Sequence, residues 1–97
     1  MLLPSKLLAI REAYGASQSQ LGRAIGVTNM GRMSEYEHGM REPNLITLLA
    51  YARVAHVTVE QLIDDQVNLA QFQSILTKKA RLIEKRLRFV LRRVVTR

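Results

Sequence analysis

One stretch with two glycine stops, Gly26 and Gly39, most restricts this chain. Between Ser17 and Gly39 runs SQSQLGRAIGVTNMGRMSEYEHG, with Gly26 near its middle. Ser17 is a good N-cap residue, since its hydroxyl can accept an orphan backbone N–H, and Gln20 three residues on can close a capping box. Leu21 and Ile25 lie four apart, on one helical face, with small Ala24 beside Ile25. Gly26 suits the left-handed residue that stops such a helix. Beyond it Met33 and Tyr36 lie three apart, and Gly39 follows as a second stop. The spacing predicts a helix over about 18–25, a tight turn, and a second helix over about 30–38.

The flanking sequence reads as more short helices. Leu3, Leu7, Ile10 and Tyr14 recur at spacings of four, three and four, with Pro4 and Ser5 in the first turn and Gly15 past the end. After the connection Gly39-Met40-Arg41-Glu42-Pro43, Asn44 caps a helix whose Leu45, Leu48, Leu49 and Ala52 form an expected inner stripe. Thr58 and Gln61 make another capping box, opening a fifth helix with Val59, Leu62 and Ile63 facing inward. No alternating stretch marks a half-buried strand over residues 1–65, and no internal repeat appears. The expected fold is all-α, five short helices followed by a long C-terminal amphipathic helix.

Charge divides the chain. The net charge is +7, yet residues 1–65 carry six basic and seven acidic residues, a net of −1. Residues 66–97 carry nine basic residues against the single acid Glu84, a net of +8. Such asymmetry points the basic part at nucleic acid or another acidic surface, and sets the expected boundary between a 1–65 domain and a 66–97 element near Asp65–Gln66. About 60 residues make a marginal core alone, so a second copy would help. In the basic part, Leu69, Leu76, Ala80, Ile83, Leu87, Val90 and Val94 follow a heptad seam interrupted by Gln73. The expectation is one helix over 68–95, about 42 Å long at 1.5 Å per residue, packed on a second copy. Leu82, Phe89, Leu91 and Val95 fall off that seam. A basic amphipathic helix also suits an anionic membrane or an acidic protein partner, and RFVLRRVVTR is β-branched enough for a short strand.

The chemistry of most enzyme classes is missing from the sequence. There is no cysteine, and His38 and His56 are the only histidines, on different elements. There is no nucleophile elbow, phosphate-binding glycine loop or metal-ligand cluster, and adjacent Asp64-Asp65 read as a solvated helix end. No cofactor and no small-molecule substrate is expected. No run of about 18 apolar residues could cross a bilayer. MLLPSKLLAI has no basic region before its apolar residues and carries Pro4, so a signal peptide is not expected. Together with the lack of cysteine this suits the cytoplasm.

Residues 5–65 resemble the lambda-repressor-like Cro/XRE family of bacterial and phage helix-turn-helix DNA-binding domains. The likeness is carried by Arg11, Ser17-Gln18, Leu21, the Gly26-Val27 turn, Glu37, Gly39 and Arg41-x-Pro43. A leucine-bearing fourth helix and the Val-Thr-Val-Glu-Gln-Leu start of the fifth complete it. It implies a non-enzymatic, sequence-specific regulator, a repressor bound as a homodimer to a roughly palindromic operator, with the third helix in the major groove. An antitoxin-like or scaffold module, gripping a partner through the basic C-terminal helix, is the alternative. The resemblance also implies an ion pair between Arg11 and Glu37.

Gly26 to Gly39 is one residue longer than the commonest family spacing. Counting forward from Gly26 would bury Arg32 and Glu35 side by side, which is costly. Counting back from Gly39 buries Met33 and Tyr36. The extra residue is therefore placed around Val27–Thr28, with Asn29 capping the third helix. The implied DNA-binding set is Ser17 and Gln18 on phosphate, Thr28 in the turn, Asn29, Met30, Gly31, Arg32 and Glu35 toward the bases, and Arg41 on phosphate. Arg32 can donate twice to guanine, Asn29 can pair with adenine, Met30 can touch a thymine methyl and Glu35 can accept from cytosine N4. Gly31 would let the backbone approach the duplex. Each also has a plainer reading: Asn29 as a cap only, Met30 as packing, Glu35 and Arg41 as solvated charges.

Overall fold

A computed structural model describes residues 1–79 of the chain. It is all-helical over those residues. The elements are α1 (Leu3–Tyr14), α2 (Gln18–Ile25), α3 (Met30–Glu37), α4 (Leu45–Ala55) and α5 (Val59–Ile63). A sixth helix, α6, is described over 69–79.

Local chemistry accounts for most of these boundaries. Ser17 and Thr58 each close a reciprocal capping box, with Gln20 and Gln61 respectively. Asn44 accepts from the Thr47 N–H at 2.8 Å. Asn68 and Gln71 exchange the same two bonds at the start of α6, at 2.8 and 2.9 Å. α1 has no side-chain cap of its own. Instead the Leu2 N–H donates to the Asp65 carboxylate at 3.1 Å, which ties the chain start to the end of α5.

One core serves all six helices. Leu3, Leu7, Ile10 and Tyr14 enter it from α1, Leu21 and Ile25 from α2, and Met33 and Tyr36 from α3. Leu48, Tyr51, Ala52 and Ala55 enter from α4 and Leu62 from α5. The inner stripe expected on α4 is corrected here: Leu45 is 71% exposed and Leu49 also faces outward, while Tyr51 is fully buried. The packed line is 48, 51, 52, 55, which follows the helical period from Leu48 rather than from Leu45. Ile63 likewise faces solvent, so Leu62 anchors α5, with Val59 packed at the margin of the core.

Phe72 and Leu76 complete the same core from α6. The expected seam was drawn through Gln73, but Gln73 is exposed and the buried line runs through Phe72 and Leu76, with Leu69 packed at its margin. Leu76, expected to face a second copy, is thus covered by its own domain. The rest of the expected 68–95 helix, from 80 onward, lies outside the described residues, as does the strand reading of RFVLRRVVTR.

Candidate nucleic-acid interface

The α2–turn–α3 unit is held from beneath and left open on top. Gly26 takes a left-handed conformation, φ 81°, and the Val27 N–H returns to the Gly22 carbonyl at 2.7 Å. A side chain there would be strained by roughly 1 kcal/mol or more, so glycine lets α2 stop and the chain swing into α3. Asn29 then caps α3 as expected, its Oδ1 accepting from the Gly31 N–H at 3.0 Å. Met33 is fully buried and Tyr36 nearly so. That agrees with an extra residue lying in the turn ahead of Asn29.

On the other side, Thr28, Asn29, Gly31 and Arg32 are exposed, and Glu35 is half-buried. The Met30 side chain lies outside what the structure describes. Gly31 has an ordinary helical φ, but a Cβ there would stand 3.2 Å from the Asn29 Oδ1. The glycine therefore also leaves room for the cap. Ser17 is exposed at the start of α2, although its hydroxyl already accepts from the Gln20 N–H at 3.1 Å. Gln18 is half-buried and gives one amide hydrogen to Glu37 at 3.0 Å. Its second amide hydrogen is the side-chain donor it could offer a phosphate.

Beneath this surface sits an ion pair that crosses the domain. Arg11 from α1 grips Glu37 with two bonds, Nε to Oε2 at 2.7 Å and Nη2 to Oε1 at 3.1 Å. It also donates to the Ala16 carbonyl at 3.1 Å. The Glu37 side chain is 3% exposed. The bond to Glu37 raises the Arg11 pKa above its ordinary value, against the opposing effect of burial. The pair fixes the end of α3, and through Gln18 the start of α2, against α1.

Two charged arrangements are not written plainly in the sequence. Glu35 and Arg41, read separately as base and phosphate contacts, meet each other, Arg41 Nε to Glu35 Oε2 at 3.6 Å. The signal was the stop at Gly39: its φ of 74° turns the chain back, and the Met40 N–H bonds the Glu35 carbonyl at 2.9 Å. Lys6 is fully buried, with Nζ donating to the Gln61 and Asp64 carbonyls at 2.8 Å each. Its ammonium also lies 5.6 Å from the Phe72 ring centroid. Burial lowers the Lys6 pKa, and Asp65 and Asp64 partly restore it. Asp64 accepts from the Gln66 N–H and Asp65 from the Leu2 N–H, both acting on Lys6 as well, and no metal-holding cluster exists among the described residues.

A short helix buried on one face, capped by asparagine and set across a glycine turn from a second helix, defines the helix-turn-helix class. A family model described as Helix-turn-helix matches residues 7–62, more than half of the chain. The chain belongs to that family, of the Cro/C1 type. It therefore carries a duplex-DNA-binding domain of the kind found in transcriptional regulators, a family not typically enzymatic. No curated protein and no solved structure matches it. Among the described residues no helix is long and apolar enough to cross a membrane.

Proposed function

We propose that the protein is a cytoplasmic repressor, of bacterial or phage origin, that binds a roughly palindromic operator as a homodimer with α3 in the major groove. The observation that carries this is the exposed first turn of α3, with Asn29, Gly31 and Arg32 open to solvent on a helix whose opposite face is buried. Arg32 supplies the bidentate donor that guanine accepts. Ser17, Gln18, Thr28 and Arg41 surround that turn as backbone contacts, and Met30 and Glu35 complete the base-facing set. The net −1 of residues 1–65 is poor for a polyanion, because affinity for DNA rests largely on Lys and Arg neutralising phosphates. The basic residues beyond 66 are the natural source of that charge. Two features support a second copy: the apolar positions within 80–97, and the outward Leu45, Ile46 and Leu49 of α4.

Those same outward apolar residues, beside a basic tail, also suit the antitoxin-like or scaffold reading, in which the tail grips an acidic protein or membrane partner. A salt titration on duplex DNA separates the two. A repressor shows steep salt dependence together with a sequence preference. An interaction module shows weak binding that ignores sequence.

A further inference from the structure

We infer that Glu35 and Arg41 form a coupled specificity device, in which Arg41 engages a phosphate only where Glu35 finds a base-edge donor to replace it. The inference rests on the DNA-binding reading and assigns a joint role to two residues of that surface.

The geometry is that of a loose pair. Arg41 Nε lies 3.6 Å from Glu35 Oε2, longer than a good charged hydrogen bond, and the two side chains are 47% and 36% exposed. A solvated pair of this kind is weak and exchanges partners readily. What holds the two together is the backbone, through the left-handed turn at Gly39 and the Met40 N–H to the Glu35 carbonyl. The side chains are therefore neighbours by construction, and free to let go.

Consider what each gains at a duplex. A phosphate offers Arg41 two acceptor oxygens, a better match to guanidinium than one distant carboxylate oxygen. Moving Arg41 there strands the Glu35 carboxylate against a polyanion. Only a donor on a base edge compensates it; in the major groove cytosine N4 and adenine N6 are donors, and cytosine suits a carboxylate better because adenine sets its own N7 acceptor beside N6. Glu35 lies three residues after Arg32, one turn along the same helix. At a site with cytosine within its reach both partners are re-satisfied. Elsewhere the pair stays closed, and Arg41 adds little to binding. Phosphate contacts ordinarily carry no sequence information; this one acquires it through Glu35.

The test uses the full chain as four proteins: unaltered, Glu35→Ala, Arg41→Ala and the double variant. Each is titrated against a duplex of random sequence and against a duplex selected from a random pool, over a series of salt concentrations. Thermal unfolding verifies that all four are folded, as an exposed and a half-buried surface site allow. Glu35→Ala is expected to raise affinity for the random duplex about two- to fivefold, the worth of an exposed pair. It should also steepen the log affinity against log salt slope by about 1, and erase one base preference. In the Arg41→Ala background the change of slope should vanish. Equal effects of Glu35→Ala with and without Arg41 would overturn the coupling and leave Glu35 a simple repelling charge. An unchanged base preference in Glu35→Ala would overturn it as well. If the unaltered protein binds neither duplex, the DNA reading falls, and the inference with it.

Discussion

Glu37 is where three residues of different elements converge, and the energetics of the domain are most exposed there. Its carboxylate holds Arg11 twice and Gln18 once. Glu37→Ala would leave a guanidinium and an amide without their acceptor in a largely buried place, so a loss of about 3 kcal/mol is expected in denaturant unfolding. Tyr51 offers a second residue-scale test. Burial is the main cause that raises its phenol pKa above the ordinary 10.0, with the Glu37 charge adding to it. Because the folded value is the raised one, the unfolded chain loses its proton first, and stability should fall as pH rises above about 10. Tyr51→Phe removes only a weak 3.5 Å contact to the Met33 sulfur. It should unfold much like the parent at neutral pH and lose less stability between pH 10 and 11. Equal alkaline losses in both proteins would contradict this.

At the scale of elements, helix ends were easier to read from sequence than helix faces. Ser17, Asn29, Asn44 and Thr58 all cap where their chemistry suggested, because a cap depends on residues two or three apart in the chain. The face of α4 was misread because nearly every residue from Leu45 to Ala55 is apolar, and periodicity carries little information when the polar contrast is missing. Which face turns inward is then decided by the neighbours, here α1, α2 and α5. Lys6 was hidden for the opposite reason. A lysine beside Leu7 reads as solvated, and only the fold reveals the α5 carbonyls that receive it. For the site, the exposure of Arg32 and the burial of Met33 followed from the cost of burying charge, whereas the Glu35–Arg41 meeting needed the turn at Gly39. The cap on α3 is itself testable: Asn29→Ala should cost about 1 kcal/mol of stability, read by thermal or denaturant unfolding. A loss confined to DNA affinity, with stability unchanged, would make Asn29 a base reader instead of a cap.

At the scale of the whole molecule, the described residues carry the core past Asp65. Phe72 and Leu76 belong to the core of the preceding helices, and Lys79 donates to the carbonyl of His56 at the end of α4. Cutting after Asp65 would therefore strip core residues and confuse folding with function. Phe72→Ala alone should cost about 3–5 kcal/mol in unfolding experiments, a large share of the stability of so small a domain. Truncation after Lys79 is the cleaner test of the basic tail. It should weaken DNA binding and flatten the salt slope as seven basic residues are lost. A truncated protein with undiminished affinity and slope would show that the domain supplies its own phosphate contacts.

The claim on which the functional account turns is that α3 reads base edges through Arg32. Selection of bound sites from a random duplex pool, run side by side on the unaltered protein and on Arg32→Ala, addresses it most directly. The account predicts a two-fold symmetric consensus for the unaltered protein. In the Arg32→Ala consensus one base position per half-site should lose its preference, with an affinity loss of about 1–3 kcal/mol on the original site. No consensus from the unaltered protein, or the same consensus from both, would contradict it.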